Sequence, residues 1–355
     1  MAAWEEYVRK VTPYTPGEQP KRDKIIKLNT NENPYPPAPG VGRVLRELDT
    51  DKLRRYPDPA STDLVKALAE YYHVGEEQVF VGVGSDDVLA MSFLTFFGSG
   101  KPILFPNITY SFYDVWAELY RIPYECPPLD ENFNIHVEDY MKDCGGIVIP
   151  NPNAPTGVEL PLSELERLLA EKPEIIVIID EAYIDFGGTS ALSLLPKYEN
   201  LLVVQTFSKS RSLAGMRIGY AIGHPKVISY LNDVKYSFNS YTMDQTALAA
   251  GVEAVKDDAY FKETLHKVIH TRERVKGELA KLGFTFPDSR SNFIFASHKE
   301  YPAKELFEAL KEAGIFVRYF HKPGIDNYLR ISIGTDAEMD ELIGFLQNYI
   351  KSGSE

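Results

Sequence analysis

Short runs of β-branched and other apolar residues, alternating with stretches of helical period, constrain the fold of this chain more than any other feature. "QVFVGVG" is followed along the chain by "PILF", "GIVIP", "EIIVIID", "LLVVQTF" and "RIGYAIG". Between the first four lie "SDDVLAMSFLTFF", "YSFYDVWAELY" and "LSELERLLAEK", in which apolar residues recur three and four apart. A strand that is apolar at every position, and not at alternate ones, has both faces covered. Such runs separated by helices predict a mostly parallel α/β sheet between helical layers. Even the longest run is far too short to cross a bilayer.

The last third changes character. A long helical stretch near 258–281 leads to "FTF", "SNFIFASH", a helix near 302–313, "IFVRYF", "YLRISIG" and a final helix. That mixture predicts a smaller α+β unit. Residues 1–40 include "NTNENPYPPAPG", rich in Pro and Asn, and read as an arm with turns. The expected division is an arm over 1–40 that joins the small domain, a large domain over 41–285, and a C-terminal small-domain segment over 286–355.

Charge narrows the function. With 38 Lys and Arg against 51 Asp and Glu, the net charge is −13, which excludes a broad nucleic-acid surface. An anionic ligand must then be drawn in by a few locally placed arginines. The 2 cysteines, Cys126 and Cys144, lack metal-ligand spacing and read as reduced thiols. The opening "MAAWEEYVRK" carries acids and no apolar core of a signal peptide, so the expected location is the cytoplasm. His266 and His270 have metal-like spacing in "HKVIH", but no Glu follows the first, and solvated histidines are the expectation.

In open parallel sheets, ligands sit beyond the carboxyl ends of the strands. Here those ends carry chemistry. Gly84, Ser85 and Asp86 follow the first run at a helix start, with Ser85 as the expected N-cap, where free N–H groups suit a phosphate. "NPNAPTG" follows "GIVIP"; Asp180, Glu181 and Tyr183 follow "EIIVIID"; Ser208 and Lys209 follow "LLVVQTF". Singly, each has a bland reading as a turn or a solvated loop residue. Together they supply an amine, a carboxylate, a phenol and phosphate donors, the set that pyridoxal phosphate requires.

"TFSKSRSLAGMRIGY" resembles the lysine segment of the fold-type I pyridoxal-phosphate aminotransferases, and the resemblance covers nearly the whole chain. It implies a large, mostly parallel seven-stranded sheet sandwiched by helices, with a smaller α+β domain formed by both termini. Lys209 then stands at the cofactor-bearing position, while Arg217, Thr206 and Ser208 serve the cofactor phosphate. "IIDEAYIDF" resembles the segment whose Asp pairs with the ring nitrogen (Asp180) and whose Tyr reaches the ring oxygen (Tyr183). "NITYSFY" resembles the segment whose aromatic stacks on the ring, here Tyr110.

Within that superfamily, "LNTNENPYPP", "RRYPDP", "GVGSDDVL" and "YLRISIGT" are similar to segments of the histidinol-phosphate aminotransferases. The resemblance implies that Tyr56 reaches the cofactor phosphate of a partner subunit in a homodimer. It implies that Arg330 binds the substrate's anionic group, and it suggests the same of Arg318 and Tyr14. One position departs: the family's Asn before Pro-Thr-Gly is Ala154 here, and the adjacent Asn153, the remaining candidate for a cofactor contact, faces a different way if the backbone is unchanged. Tyr183 would then hold the ring oxygen without the usual second partner. The implied reaction exchanges an amino group between L-histidinol phosphate and 2-oxoglutarate, giving glutamate, with no metal. A threonine-phosphate decarboxylase-like lyase and an aromatic amino-acid aminotransferase share the same cofactor core. A cofactor-sensing regulator would need a DNA-binding domain, for which residues 1–40 are too short and too Pro-rich.

Overall fold

The structure, a computed structural model, describes residues 3–20 and 25–352. Strand β1 (Ile26–Lys27) belongs with the C-terminal part of the molecule. The large sheet contains β2 (Val79–Val83), β3 (Ile103–Leu104), β4 (Tyr124–Glu125), β5 (Gly146–Pro150), β6 (Val177–Asp180), β7 (Leu201–Thr206) and β8 (Ile218–Gly223). Its 7 strands lie in the order β2-β8-β7-β6-β5-β3-β4. All pairings are parallel except those of β8, which runs antiparallel to β7 and to β2.

Successive residues of the central strands point to opposite faces. Ile147, Ile149, Val177, Ile179, Leu201 and Val203 pack on one side, against α1 (Pro39–Arg46), α2 (Thr62–Tyr72), α5 (Leu162–Glu171) and α7 (Gln245–Lys256). Val148, Ile178, Leu202 and Val204 pack on the other, against α3 (Gly84–Phe96), α4 (Tyr113–Tyr120) and α6 (Pro225–Phe238). Burial on both faces explains why these strands read as unbroken apolar runs. Each such side chain contributes roughly 1.5–3 kcal/mol over an exposed one. Truncating Ile179, which is fully buried, to Ala would cost about 2–5 kcal/mol once the cavity is included.

Helix α8 (Asp258–Lys281) carries the chain into the smaller unit. That unit holds β9 (Phe284–Thr285), β10 (Phe293–His298), α9 (Ala303–Glu312), β11 (Ile315–Phe316), β12 (Arg318–Tyr319), β13 (Leu329–Ser332) and α10 (Asp336–Ser352). Its sheet runs β12-β13-β10-β9, antiparallel throughout. The N-terminal segment joins it: β1 pairs in parallel with β11, and Leu28 is buried in the small core. The outermost limits of the expected divisions, residues 1 and 355, lie outside the described residues.

The start of α3 differs from expectation. Gly84 is already helical, and the capping position is Val83, whose N–H donates to Asp87 Oδ2 at 2.9 Å. Ser85 therefore lies within the first turn and does not cap it. Gly84 has φ +81°, a conformation that costs glycine nothing and strains other residues.

Candidate active site

Sheet topology assembles the site. Because β2 and β7 are both antiparallel to β8, they run in the same direction, as do β5 and β6. The carboxyl ends of these strands, the first turn of α3 and the start of β8 therefore share one edge. A cleft with about 860 Å³ of free space, counting its open mouth, lies there. Ser85, Asp86, Tyr110, Asp180, Tyr183, Thr206, Ser208, Lys209 and Arg217 all line it.

Asp180 ends β6 and is buried. Its Oδ2 accepts a 2.6 Å hydrogen bond from the Tyr113 phenol, and its Oδ1 accepts from the Ala182 N–H at 3.2 Å. Burial pushes its pKa up to about 6, while the two hydrogen bonds favour the anion and oppose that rise. A carboxylate so placed gains most from a cationic partner in the cleft. Glu181, the next residue, faces away: it accepts from Ser190, Ala191 and Gln205 in the interior, and burial raises its pKa to about 7.

Lys209 Nζ donates to the Thr30 carbonyl at 3.0 Å and lies 5.8 Å from the centroid of the Tyr183 ring. The lysine turn is fastened by Asn33, whose Nδ2 donates to the Lys209 and Ser210 carbonyls. The Ser210 hydroxyl donates to half-buried Asp185 at 2.6 Å. The Tyr183 hydroxyl accepts from Asn31 Nδ2 at 2.9 Å, and its ring stands edge-on to Phe293.

At the other end, Arg217 donates to the Ser208 hydroxyl (3.3 Å) and the Ala214 carbonyl (3.1 Å), and pairs with Asp86 at 3.4 Å. Tyr110 donates to Asp86 Oδ1 at 2.8 Å, so Asp86 spans the phenol and the guanidinium. The Thr206 hydroxyl accepts from the Ser208 N–H. Gly219 makes the corner possible: any Cβ there would fall inside the Gly84–Ser85 backbone. Arg217, two hydroxyls and the start of a helix thus form an anion-binding corner.

A second cleft opens from the first, and Thr30, Tyr110, Ala154, Tyr183 and Lys209 line both. Its far wall carries Tyr14, Arg318, Phe320 and Arg330. The Arg330 guanidinium lies near the Phe293 and Phe320 rings, 5.4 and 5.7 Å from their centroids. Its Nη2 donates to the Asn29 carbonyl, and its buried Nε has no partner. Burial lowers its pKa from the usual guanidinium value. A half-buried cation with a free donor favours an anionic ligand. Tyr14 stacks on Phe112 with centroids 4.1 Å apart.

Asn153 does not line the cleft: its Nδ2 donates to the Ile108 carbonyl and to Thr156, and its Oδ1 accepts from Thr109. It braces its own turn, and Ala154 faces the cavity instead. Tyr56 is 80% exposed, stacked on Tyr241 at 4.6 Å, and absent from its own chain's cleft.

A family model described as "Aminotransferase class I and II" matches residues 23–346. The histidinol-phosphate aminotransferase of Lactococcus lactis subsp. cremoris (strain MG1363) is 51% identical over 350 residues, covering 99% of this chain and 98% of that one. The chain belongs to the histidinol-phosphate aminotransferase family. A protein of that name from Clostridium beijerinckii is 52% identical over 340 residues, covering 96% of this chain and 95% of its own.

Among solved structures, the histidinol-phosphate aminotransferase of Sinorhizobium meliloti, in complex with pyridoxal-5'-phosphate, superposes with a TM-score of 0.85 at 25% identity. The match covers 93% of this chain and 92% of that one. The L-threonine-O-3-phosphate decarboxylase of Porphyromonas gingivalis, at 21% identity and a TM-score of 0.76, shares the fold over 92% of this chain and 100% of its own.

The cofactor is pyridoxal 5'-phosphate. The residues present fit it. Gly219 lets β8 pack directly on the Gly84–Ser85 turn, Ser85, Thr206, Ser208 and Arg217 line the cleft where the phosphate would sit, Asp180 offers a buried carboxylate, and Lys209 places an amine on both clefts. Reading the sequence missed Tyr113, Asn31 and Asn33. The asparagines lie in the quoted "LNTNENPYPP", which signalled the segment but not its contacts; nothing in the sequence marks Tyr113 as the partner of Asp180.

Proposed function

We propose that this protein transfers the amino group of L-histidinol phosphate to 2-oxoglutarate, with Lys209 as the cofactor-bearing and proton-moving residue. The observation that carries this reading is the position of the Lys209 amine on the wall between two anion-adapted clefts. The Arg217 corner suits the cofactor phosphate, and the Arg330 pocket suits the substrate's anionic group.

When bound, the cofactor supplies a conjugated ring that accepts the electron pair left at the substrate Cα. Asp180, as a carboxylate, holds a proton at the ring nitrogen. Tyr110 bounds one face of the ring site, and Tyr183 serves the ring oxygen. Lys209 Nζ, freed as the amino substrate binds, removes the Cα proton and returns a proton in the step that follows. Arg330 and Arg318 bind phosphate in one half-reaction and carboxylate in the other, since a guanidinium fork accommodates both. Asn153 has no direct role.

We assign Tyr56 to the partner's phosphate corner in a homodimer. Leu53, Tyr56, Tyr236, Phe238 and Tyr241 are all exposed apolar side chains, and Gln245 holds the turn before Tyr56 through the Lys52 and Arg55 carbonyls. The protein is assigned to the cytoplasm; among the described residues no helix is long and apolar enough to cross a membrane.

The test is incubation with histidinol phosphate and 2-oxoglutarate. Glutamate and the ketone phosphate should form in equal amounts, and borohydride reduction of the loaded protein should fix the cofactor to Lys209. Release of carbon dioxide from threonine phosphate without keto product, or label on another lysine, would overturn the assignment.

A further inference from the structure

We infer that Ser332 and Asn31 are positioning residues that force Tyr183 to act as a hydrogen-bond donor toward the cofactor's ring oxygen. The inference rests on the cofactor placement proposed above and adds a chain of fixed hydrogen-bond directions. It begins at a group whose role is unambiguous, since a backbone N–H can only donate. The Asn31 N–H donates to Ser332 Oγ at 2.9 Å. That contact occupies an acceptor site of the hydroxyl, and the Ser332 proton turns to Asn31 Oδ1, also at 2.9 Å. With the amide turned the other way the Ser332 proton would have no acceptor among the described residues, so the carbonyl end of Asn31 stays on Ser332 and its NH₂ end faces Tyr183, 2.9 Å away.

A phenol oxygen that accepts from an N–H cannot aim its own proton along the same line. The Tyr183 proton is turned elsewhere, and no other protein group among the described residues accepts it. The direction left open is the cleft, which Tyr183 lines on both sides of Lys209. Ala154 lines the same two clefts and brings only a methyl group, so no second donor comes from that residue. A flipped Asn31 amide would offer its carbonyl to the Tyr183 proton, so the polarity of Tyr183 depends on which end of Asn31 faces it.

Asn31 is well placed to hold a direction. It is buried, its left-handed backbone (φ +57°) is one that Asn tolerates, and its carbonyl accepts from Asn292 Nδ2 at 3.0 Å. Ser332 ends β13, so the relay begins in the small domain and ends on a residue of the large one. Docking of the two units and the polarity of the cleft are thereby linked.

The experiment uses the full-length protein loaded with pyridoxal phosphate and follows the pH midpoint of its visible absorption band. When the cofactor–lysine linkage loses its proton, a donor held at the ring oxygen stabilises the charge that remains there. Without that donor the linkage keeps its proton to higher pH. Asn31→Ala should raise the midpoint by about half to one pH unit, the equivalent of one ordinary hydrogen bond. In a Tyr183→Phe background, Asn31→Ala should add nothing. Ser332→Ala, which frees the amide to flip, should shift the midpoint in the same direction and serves if Asn31→Ala does not fold. Titration of cofactor-free protein, read by quenching of its fluorescence, should show weaker binding for both variants.

A normal band with an unmoved midpoint would overturn the relay, as would equal shifts with and without the Tyr183 hydroxyl. Absence of the band in the unaltered protein, or its attachment to another lysine, would instead refute the cofactor placement.

Discussion

Replacing Asp180 with Asn should make the cofactor-free protein more stable at neutral pH while weakening the loaded enzyme. The folded-state pKa of Asp180 is about 6, against 3.8 for the free side chain, and burial is the main cause. A carboxyl whose pKa rises on folding contributes stability that is fully present below 3.8 and is lost as pH rises through about 6. The shift corresponds to about 3 kcal/mol at full ionisation, of which about 2 kcal/mol falls between pH 4.5 and 7.5. Asn does not titrate and escapes this loss. It can accept from Tyr113 or from the Ala182 N–H, but not from both with one oxygen, which adds a constant penalty of about 1 kcal/mol. Urea unfolding of both cofactor-free proteins, at one fixed protein concentration, should show the Asp180→Asn variant gaining about 2 kcal/mol on the native protein over that interval. Glu181 titrates in both and cancels from the difference. With cofactor bound the order reverses: affinity falls, and Cα proton removal slows by about three powers of ten. A stability difference that does not change with pH would refute the argument that burial dominates Asp180.

Arg330→Lys keeps the charge but loses the fork, and should raise KM for both histidinol phosphate and glutamate by roughly tenfold or more. Arg330→Met should weaken both further while leaving stability nearly unchanged, because it removes a half-buried cation whose Nε has no partner; a marked loss of stability would show that the arginine is structural. Gly219→Ala should destabilise the protein by roughly 1–3 kcal/mol and weaken cofactor binding in titrations, since the added methyl pushes the start of α3 off β8. Mixed Tyr56→Ala and Lys209→Ala chains, each inactive alone, should regain activity as heterodimers that hold one complete site. If subunits exchange and no activity returns, Tyr56 does not act across an interface.

Much of the site was legible because its parts are local. The Lys209 turn, Arg217 and the Asp180–Tyr183 segment each sit just beyond an apolar run, and a strand buried on both faces announces itself in single-sequence hydropathy. The α3 start was misread because a Ser beside a Gly looks like a cap, whereas the capping position is Val83, which has no capping side chain and whose N–H is held by Asp87 from the first turn. Adjacency in "NPNAPTG" likewise says nothing about which side chain the turn directs at the cavity: Ala154 lines it, and Asn153 braces its own turn.

The amino-acid sequence by itself determined the strand–helix alternation, the chemical set required by the cofactor, and the strand ends on which that set stands. Hydrophobic periodicity and short turn signals act within a few residues of each other, so they survive in one dimension. Only the tertiary structure decided which groups touch. Tyr113 meets Asp180 across the sheet edge, Asn33 fastens the Lys209 turn, and Asn31 meets both Ser332 and Tyr183, although these partners lie far apart in the chain. Such contacts depend on the packing of whole helices and strands, and on a reversed β8 that brings the ends of β2 and β7 to one edge. A hydrogen bond needs its partners placed to within a few tenths of an ångström, and that placement is set by the assembled core, not by local residue spacing.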